Sequence, residues 1–143
     1  KKTPEGAFVD KEGNYIGRHK GIIHYTIGQR RGLGIPAASR LYVCEISPKT
    51  NTVVLGDNAD LFSSELEADS VNLISVDCLA EPKRVTAKIR YRHKEQPATA
   101  WQTQDGILHV KFDEPQRAIT KGQAVVMYDG DEVVGGGVIN KNL

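Results

Sequence analysis

A chain of 143 residues with 39% hydrophobic and 26% charged side chains has the usage of one globular domain, or of two very small ones, rather than of a disordered segment. Its net charge of +1 excludes a uniformly basic or acidic protein, yet the two signs are sorted along the chain. The longest apolar runs are of strand length, far below the roughly 20 residues a membrane span needs, and Lys1-Lys2-Thr3-Pro4 leads into no apolar signal segment.

A cytoplasmic location is therefore expected, without membrane contact. The chain also opens with no initiator Met and reads as an excised piece.

In chain order the dominant period is two. Residues 7–10 and 15–18 predict short strands joined by Lys11-Glu-Gly-Asn14, a hairpin-type turn. A glycine-rich stretch runs from residue 21 to 34. Residues 41–47 and 52–56 predict a second hairpin, turned by Pro48-Lys-Thr-Asn51.

The polar stretch 57–65 is expected to hold a short helical turn, capped by Asn58 or Ser63, and it is the best candidate domain boundary. Strands follow at 68–75, 84–93, 98–104, 107–112, 123–128 and 132–139. Asp105-Gly106 and Asp129-Gly130 are tight-hairpin dipeptides, and Glu114-Pro115 is expected to break the chain between two strands. Six short strands so spaced point to a small closed barrel, which leaves no open edges. The fold class is all-β or nearly so.

Two segments carry unbalanced positive charge. Between residues 13 and 44 there is no acid, while Arg18, Lys20, Arg30, Arg31 and Arg40 are basic. Between residues 83 and 94 there is again none, against Lys83, Arg84, Lys88, Arg90, Arg92 and Lys94. The acids gather at Asp57, Asp60, Glu65, Glu67 and Asp69, and at Asp129, Asp131 and Glu132. Such sorting implies faces of opposite potential, the basic one suited to a polyanion.

Strict alternation over residues 84–93 would turn Val85, Ala87, Ile89 and Tyr91 to one face. Lys88, Arg90 and Arg92 would then form a ladder of cations about 7 Å apart on the other. That ladder is either a solvated outer surface or a track for a phosphate backbone, and the lack of neighbouring acids favours the track.

The segment Tyr25-Thr-Ile-Gly-Gln-Arg-Arg-Gly-Leu-Gly-Ile35 combines flexible glycines with the donors of Gln29, Arg30 and Arg31. It lacks the endings of the known nucleotide-binding glycine loops and fits either loop packing or an anion site. Gly135-Gly-Gly137 marks a bulge or a close backbone approach. Trp101 reads as core more readily than as a base-stacking platform.

Cys44 and Cys78 read as small buried thiols. The scattered histidines supply no metal-ligand spacing, so no metal is expected. No nucleophile elbow and no paired carboxylates in apolar surroundings appear, so no catalytic residue is assigned.

Gly6-Ala-Phe-Val-Asp10, Gly17-Arg-His19, the Tyr25–Ile35 block, Arg90-Tyr-Arg92, Phe112-Asp-Glu-Pro115 and Gly135-Gly-Gly137 occur here in one order. Together they closely resemble bacterial tRNA-specific 2-thiouridylases over nearly the whole chain.

The resemblance implies a parent enzyme that adenylates the wobble uridine with ATP and replaces its C2 oxygen with persulfide sulfur. The ATP-pyrophosphatase domain and catalytic cysteines would lie outside this chain, and neither Cys44 nor Cys78 matches a catalytic position. The piece itself would be inactive and hold no cofactor.

By the same resemblance, residues 1–58 form a small, irregular SH3-like central tRNA-binding domain. Residues 59–143 form a six-stranded β-barrel like the second domain of elongation factors. Arg90, Tyr91 and Gln123 correspond to tRNA-contacting positions, and Arg92, Lys88, Arg30, Arg31 and Gln29 join them from the charge pattern and the glycine loop. The expected partners are tRNA and the parent's N-terminal catalytic domain. A protein-docking barrel in a sulfur-relay system is the alternative.

Overall fold

Period-two alternation does produce strands over most of the chain. The computed structural model describes residues 4–35 and 41–142, and Arg40 lies outside the described residues. Two compact units separate at Lys1–Phe62 and Ser63–Leu143.

In the first unit, β1 (Gly6–Val9) pairs antiparallel with β2 (Tyr15–His19), and β3 (Tyr42–Ser47) with β4 (Thr52–Gly56). A parallel β1–β4 pairing, which local periodicity cannot show, joins the two hairpins into a sheet of order β2-β1-β4-β3.

Phe8, Val43, Val53 and Leu55 are buried on this sheet, and the glycine-rich segment folds over it to add Tyr25 and Leu33. At the centre lies His19, fully buried. Its Nδ1 accepts the Gly21 N–H at 2.9 Å and its Nε2 sits 2.8 Å from the Asn51 carbonyl, an arrangement that suits the neutral Nε2–H tautomer. Phe8, His19 and Tyr25 meet edge to face with centroids 5.2–5.7 Å apart. Gly6 has to be glycine, because a Cβ there would run into the Asn51 carbonyl and the His19 ring.

The expected helical turn is a single 3-10 turn at Asn58–Leu61. Its cap is Asp57, not Asn58 or Ser63: the Asp60 side chain accepts the Asp57 backbone N–H at 2.8 Å, and the Asp60 N–H reaches the Asp57 carbonyl at 3.0 Å. Ser63 already belongs to a strand, because its neighbours alternate buried Leu66 and Ala68 with polar Glu65 and Glu67.

The second unit is a closed barrel of β5 (Phe62–Leu73), β6 (Lys83–Lys88), β7 (Gln96–Gln102), β8 (Leu108–Arg117), β9 (Ala124–Asp129) and β10 (Glu132–Asn142), in the order β10-β5-β8-β7-β6-β9. The all-β class and six-stranded closure are as the sequence implied. Inward residues from all six strands, among them Leu66, Val85, Ala98, Phe112, Met127 and Ile139, fill its interior.

The glycine run sits where β10 bends. Cβ atoms at Gly135 and Gly136 would strike the Asn72 and Val125 carbonyls, and the β10–β5 register shifts between Gly136 and Val138. Pro115 does not end its strand as expected. It is exposed on the outer part of β8, beyond the residues that pair with β7, where a missing N–H is tolerated.

Candidate nucleic-acid interface

The glycine-rich loop is shaped by its own amides. Gly28, at φ 93°, donates to the Val43 carbonyl at 2.7 Å, and Val43 donates back to Gln29 at 2.9 Å, so the loop docks on the end of β3. The Gln29 side chain is used twice: its Oε1 accepts the Thr26 N–H at 3.0 Å and its Nε2 donates to the Arg31 carbonyl at 2.8 Å. The Tyr25 hydroxyl accepts the Lys20 N–H at 3.0 Å.

Gln29 therefore holds the loop, while Arg30 and Arg31 project outward and make no ion pair among the described residues. Arg30 also lines an open groove of about 400 Å³ with Tyr42, Asp57, Asn58 and Ala59. Arg18 pairs with Glu5 at 3.4 Å and Lys11 with Asp60 at 3.3 Å. The Asp57 backbone N–H first, and Lys11 after it, keep the Asp60 carboxyl below its ordinary range.

In the barrel the expected cation ladder does not form. Strand β6 stops at Lys88, so residues 89–95 are a connection and alternation no longer governs them. Within the strand the charges are neutralised or screened by groups brought from other strands. Arg84 grips Asp113 with both terminal nitrogens at 2.7 Å, Lys83 bonds Asp129 at 2.9 Å, and Lys88 lies 5.9 Å over the Tyr128 ring. Hydrogen bonding and attraction from Arg84 hold Asp113 below the usual carboxylate range.

Tyr91, which alternation sends inward, is instead 93% exposed. Its turn closes with the His93 N–H on the Arg90 carbonyl at 3.1 Å. Arg92 and Lys94 are exposed beside it, with no ion pair among the described residues. Arg90 points the other way: Nη1 donates to the Arg117 carbonyl at 2.9 Å and Nη2 to the Ala118 carbonyl at 2.5 Å. Burial, and then the nearby Arg117 charge, pull its pKa below the ordinary value.

Strand direction decides which connections share an end. Because β6, β7, β8 and β9 run up and down in turn, the connection 89–95 lies at the same barrel end as 118–123. Gln123 is exposed there, and its backbone N–H reaches the Thr120 carbonyl at 3.3 Å.

This rim carries Arg90, Arg92, Lys94 and Lys121, with Arg117 at the strand end. Within the connections 89–95 and 118–123 the one acid is Glu95, which accepts the Thr86 hydroxyl at 2.7 Å. The opposite end holds the connections 74–82, 103–107 and 130–131, which contain Asp77, Glu81, Asp105 and Asp131 and no Lys or Arg. The barrel is polarised along its axis.

Arg90, Tyr91, Arg92 and Gln123 are thus brought to one rim, with Lys88 on the wall below and Gln29, Arg30 and Arg31 on the loop of the first unit. Arg117 and Lys121 were not singled out from the sequence. Counting alternating strands would have placed them, since every second connection of an antiparallel series returns to the same end.

Other groups are less suggestive. Trp101 is half-buried on the outer wall, stacked at 5.3 Å on His109 rather than in the core. The thiols are not both buried either: Cys44 is half-buried and Cys78 exposed. Among the described residues no three His, Cys, Asp or Glu side chains gather as metal ligands, and no helix is long and apolar enough to cross a membrane.

Residues 63–139 match the family model described as an aminomethyltransferase beta-barrel domain, and residues 1–57 the one described as a tRNA methyl transferase PRC-barrel domain. The tRNA-specific 2-thiouridylase MnmA of Clostridioides difficile (strain 630) is 59% identical over 143 residues, 100% of this chain and 40% of the relative. That of Acetivibrio thermocellus is 55% identical over 139 residues, 97% of this chain and 39% of the relative. MnmA 1 of Clostridium botulinum (strain Loch Maree / Type A3) is 54% identical over 140 residues, 98% and 39%. The chain spans about two fifths of the length of these relatives.

Proposed function

The chain belongs to the tRNA-specific 2-thiouridylase family, and we propose that it is the tRNA-holding part of a cytoplasmic enzyme that thiolates the wobble uridine. On this reading residues 1–58 are the central tRNA-binding domain and residues 59–143 the barrel. The ATP-dependent chemistry and its cysteines belong to a catalytic domain of the parent. The chain performs no chemical step itself. Its contribution is to hold the substrate in register with a distant active site, which is how binding becomes rate.

The observation that carries the reading is the cationic rim. An aromatic ring 93% exposed adjoins Arg92 and Lys94, which make no ion pair among the described residues, on the same barrel end as the amide of Gln123. Phosphates are drawn by Arg92, Lys94 and Lys121, an unstacked base has the Tyr91 face, and Gln123 offers both a donor and an acceptor to a base edge. In the first unit Arg30 and Arg31 add charge from a loop that Gln29 keeps in shape.

The test is filter binding of tRNA to the 143-residue chain across a salt series. Binding should weaken steeply with salt, and Arg92→Ala with Lys94→Ala should flatten the log–log slope by about one unit per lost phosphate contact. If the wild-type chain retains no tRNA at low salt, a protein-docking role becomes the better reading, with the acidic barrel end as its surface.

A further inference from the structure

We propose that Arg90 is a positioning residue, which clasps two connections of the barrel rim together and leaves phosphate contact to its neighbours. The proposal rests on the tRNA-binding reading but concerns a different task for one of its residues.

A guanidinium presents its donors as a planar fork that matches either a phosphate or a pair of carbonyl oxygens. In Arg90 the two terminal nitrogens are committed to the carbonyls of Arg117 and Ala118. The side chain is half-buried between them, while Tyr91 and Arg92 next door stand in solvent.

The backbone it grips needs holding. Ala118 adopts φ 58°, a left-handed conformation that residues other than glycine enter at a cost. The Ala118 carbonyl also accepts the Thr120 hydroxyl at 2.8 Å, so two donors converge on it.

The far flank of the same connection is tied to β10. Asn142 Nδ2 donates to the Ile119 carbonyl and the Gly122 N–H to the Ile139 carbonyl, each at 2.8 Å, and the Ile139 N–H donates to Gln123 at 2.9 Å. Residues 118–123 are therefore held by β10 on one side and by Arg90 on the other. Arg90 is in turn the residue immediately before Tyr91. Through it the ring of Tyr91 and the amide of Gln123 keep a fixed separation before any RNA arrives. That preorganisation lowers the ordering cost of binding.

Two arms test the proposal on the 143-residue chain. Without RNA, amide hydrogen exchange is compared between wild type and Arg90→Lys, which keeps the charge but cannot present the fork. Exchange should quicken at His93, Gly122 and Gln123 while amides within β7 and β8 stay protected. Unchanged exchange at those three positions overturns the proposal.

With tRNA, Arg90→Lys and Arg90→Ala should both weaken binding about tenfold while keeping the wild-type salt slope. Arg92→Ala with Lys94→Ala serves as the control that flattens the slope. Full recovery of affinity by lysine, or a slope lowered by about one in Arg90→Ala, makes Arg90 a phosphate ligand and overturns the proposal. A wild-type chain that binds no tRNA sinks the tRNA reading instead, and the exchange arm alone then decides whether Arg90 sets the rim.

Discussion

The glycine loop of the first unit and the rim of the barrel solve the same problem with different parts. In each, one polar side chain turns back onto main-chain groups: Gln29 onto the Thr26 N–H and the Arg31 carbonyl, Arg90 onto the carbonyls of Arg117 and Ala118. In each, the residues that follow it face solvent: Arg30 and Arg31 in the loop, Tyr91 and Arg92 at the rim. The loop is braced within a few residues of sequence and from the aromatic cluster beneath it. The rim is braced by a clasp spanning 27 and 28 residues. In both segments a polar side chain frames the backbone while its neighbours face solvent.

The largest effect should come from removing the support beneath the loop. His19→Ala would strand the Gly21 N–H and the Asn51 carbonyl in a buried site and open a gap beside the Phe8 and Tyr25 rings. A loss of about 3 kcal/mol is expected, from unsatisfied groups and lost packing together. Urea unfolding measures it. A change below about 1 kcal/mol would mean that the loop carries its own stability, as the rim does not.

Tyr91→Ala should do the opposite. A ring so exposed contributes little packing, so the melting temperature should hold while tRNA binding falls roughly tenfold, the value of one lost base stack. Tyr91→Phe should bind like wild type, because the ring face matters more than the hydroxyl. Equal losses in the two variants would show that the hydroxyl, and not stacking, makes the contact.

These contrasts also show what was legible in the sequence. Alternation and turn dipeptides located strands such as Thr52–Gly56 to the residue, and strand number pointed to barrel closure. The parallel β1–β4 pairing was hidden, since nothing local distinguishes it from an antiparallel one. The basic run at 83–94 was visible, but its use was not. Asp113 and Asp129, which neutralise Arg84 and Lys83, are brought in from strands 29 and 46 residues away. The end of β6 at Lys88 was equally hidden, because Ile89 and Tyr91 continue the pattern while the chain has already turned.

A smaller effect separates the loop's frame from its charges. Gln29→Ala removes two hydrogen bonds at a half-exposed position and should cost about 1 kcal/mol of stability in unfolding experiments. Arg31→Ala should leave stability alone and reduce the salt slope of tRNA binding by about one. If the two variants behave alike in both measurements, frame and contact are not divided in this loop.

The smallest expected effect concerns the barrel wall, where charge is neutralised and not displayed. Asp113 has an ordinary value of 3.8 and is held lower, first by hydrogen bonds from Arg84 and then by its attraction. A carboxyl that titrates lower folded than unfolded stabilises the fold at neutral pH, and that contribution fades as pH drops through its folded value. Both partners are largely solvated, so the gain is slight. In an NMR titration the Asp113 carboxyl should shift below the ordinary range in wild type and return toward it in Arg84→Ala. The same substitution should barely alter tRNA affinity, because Arg84 has already spent its fork on an acid. A clear fall in affinity would return Arg84 to the binding surface and make the wall, as well as the rim, part of the interface.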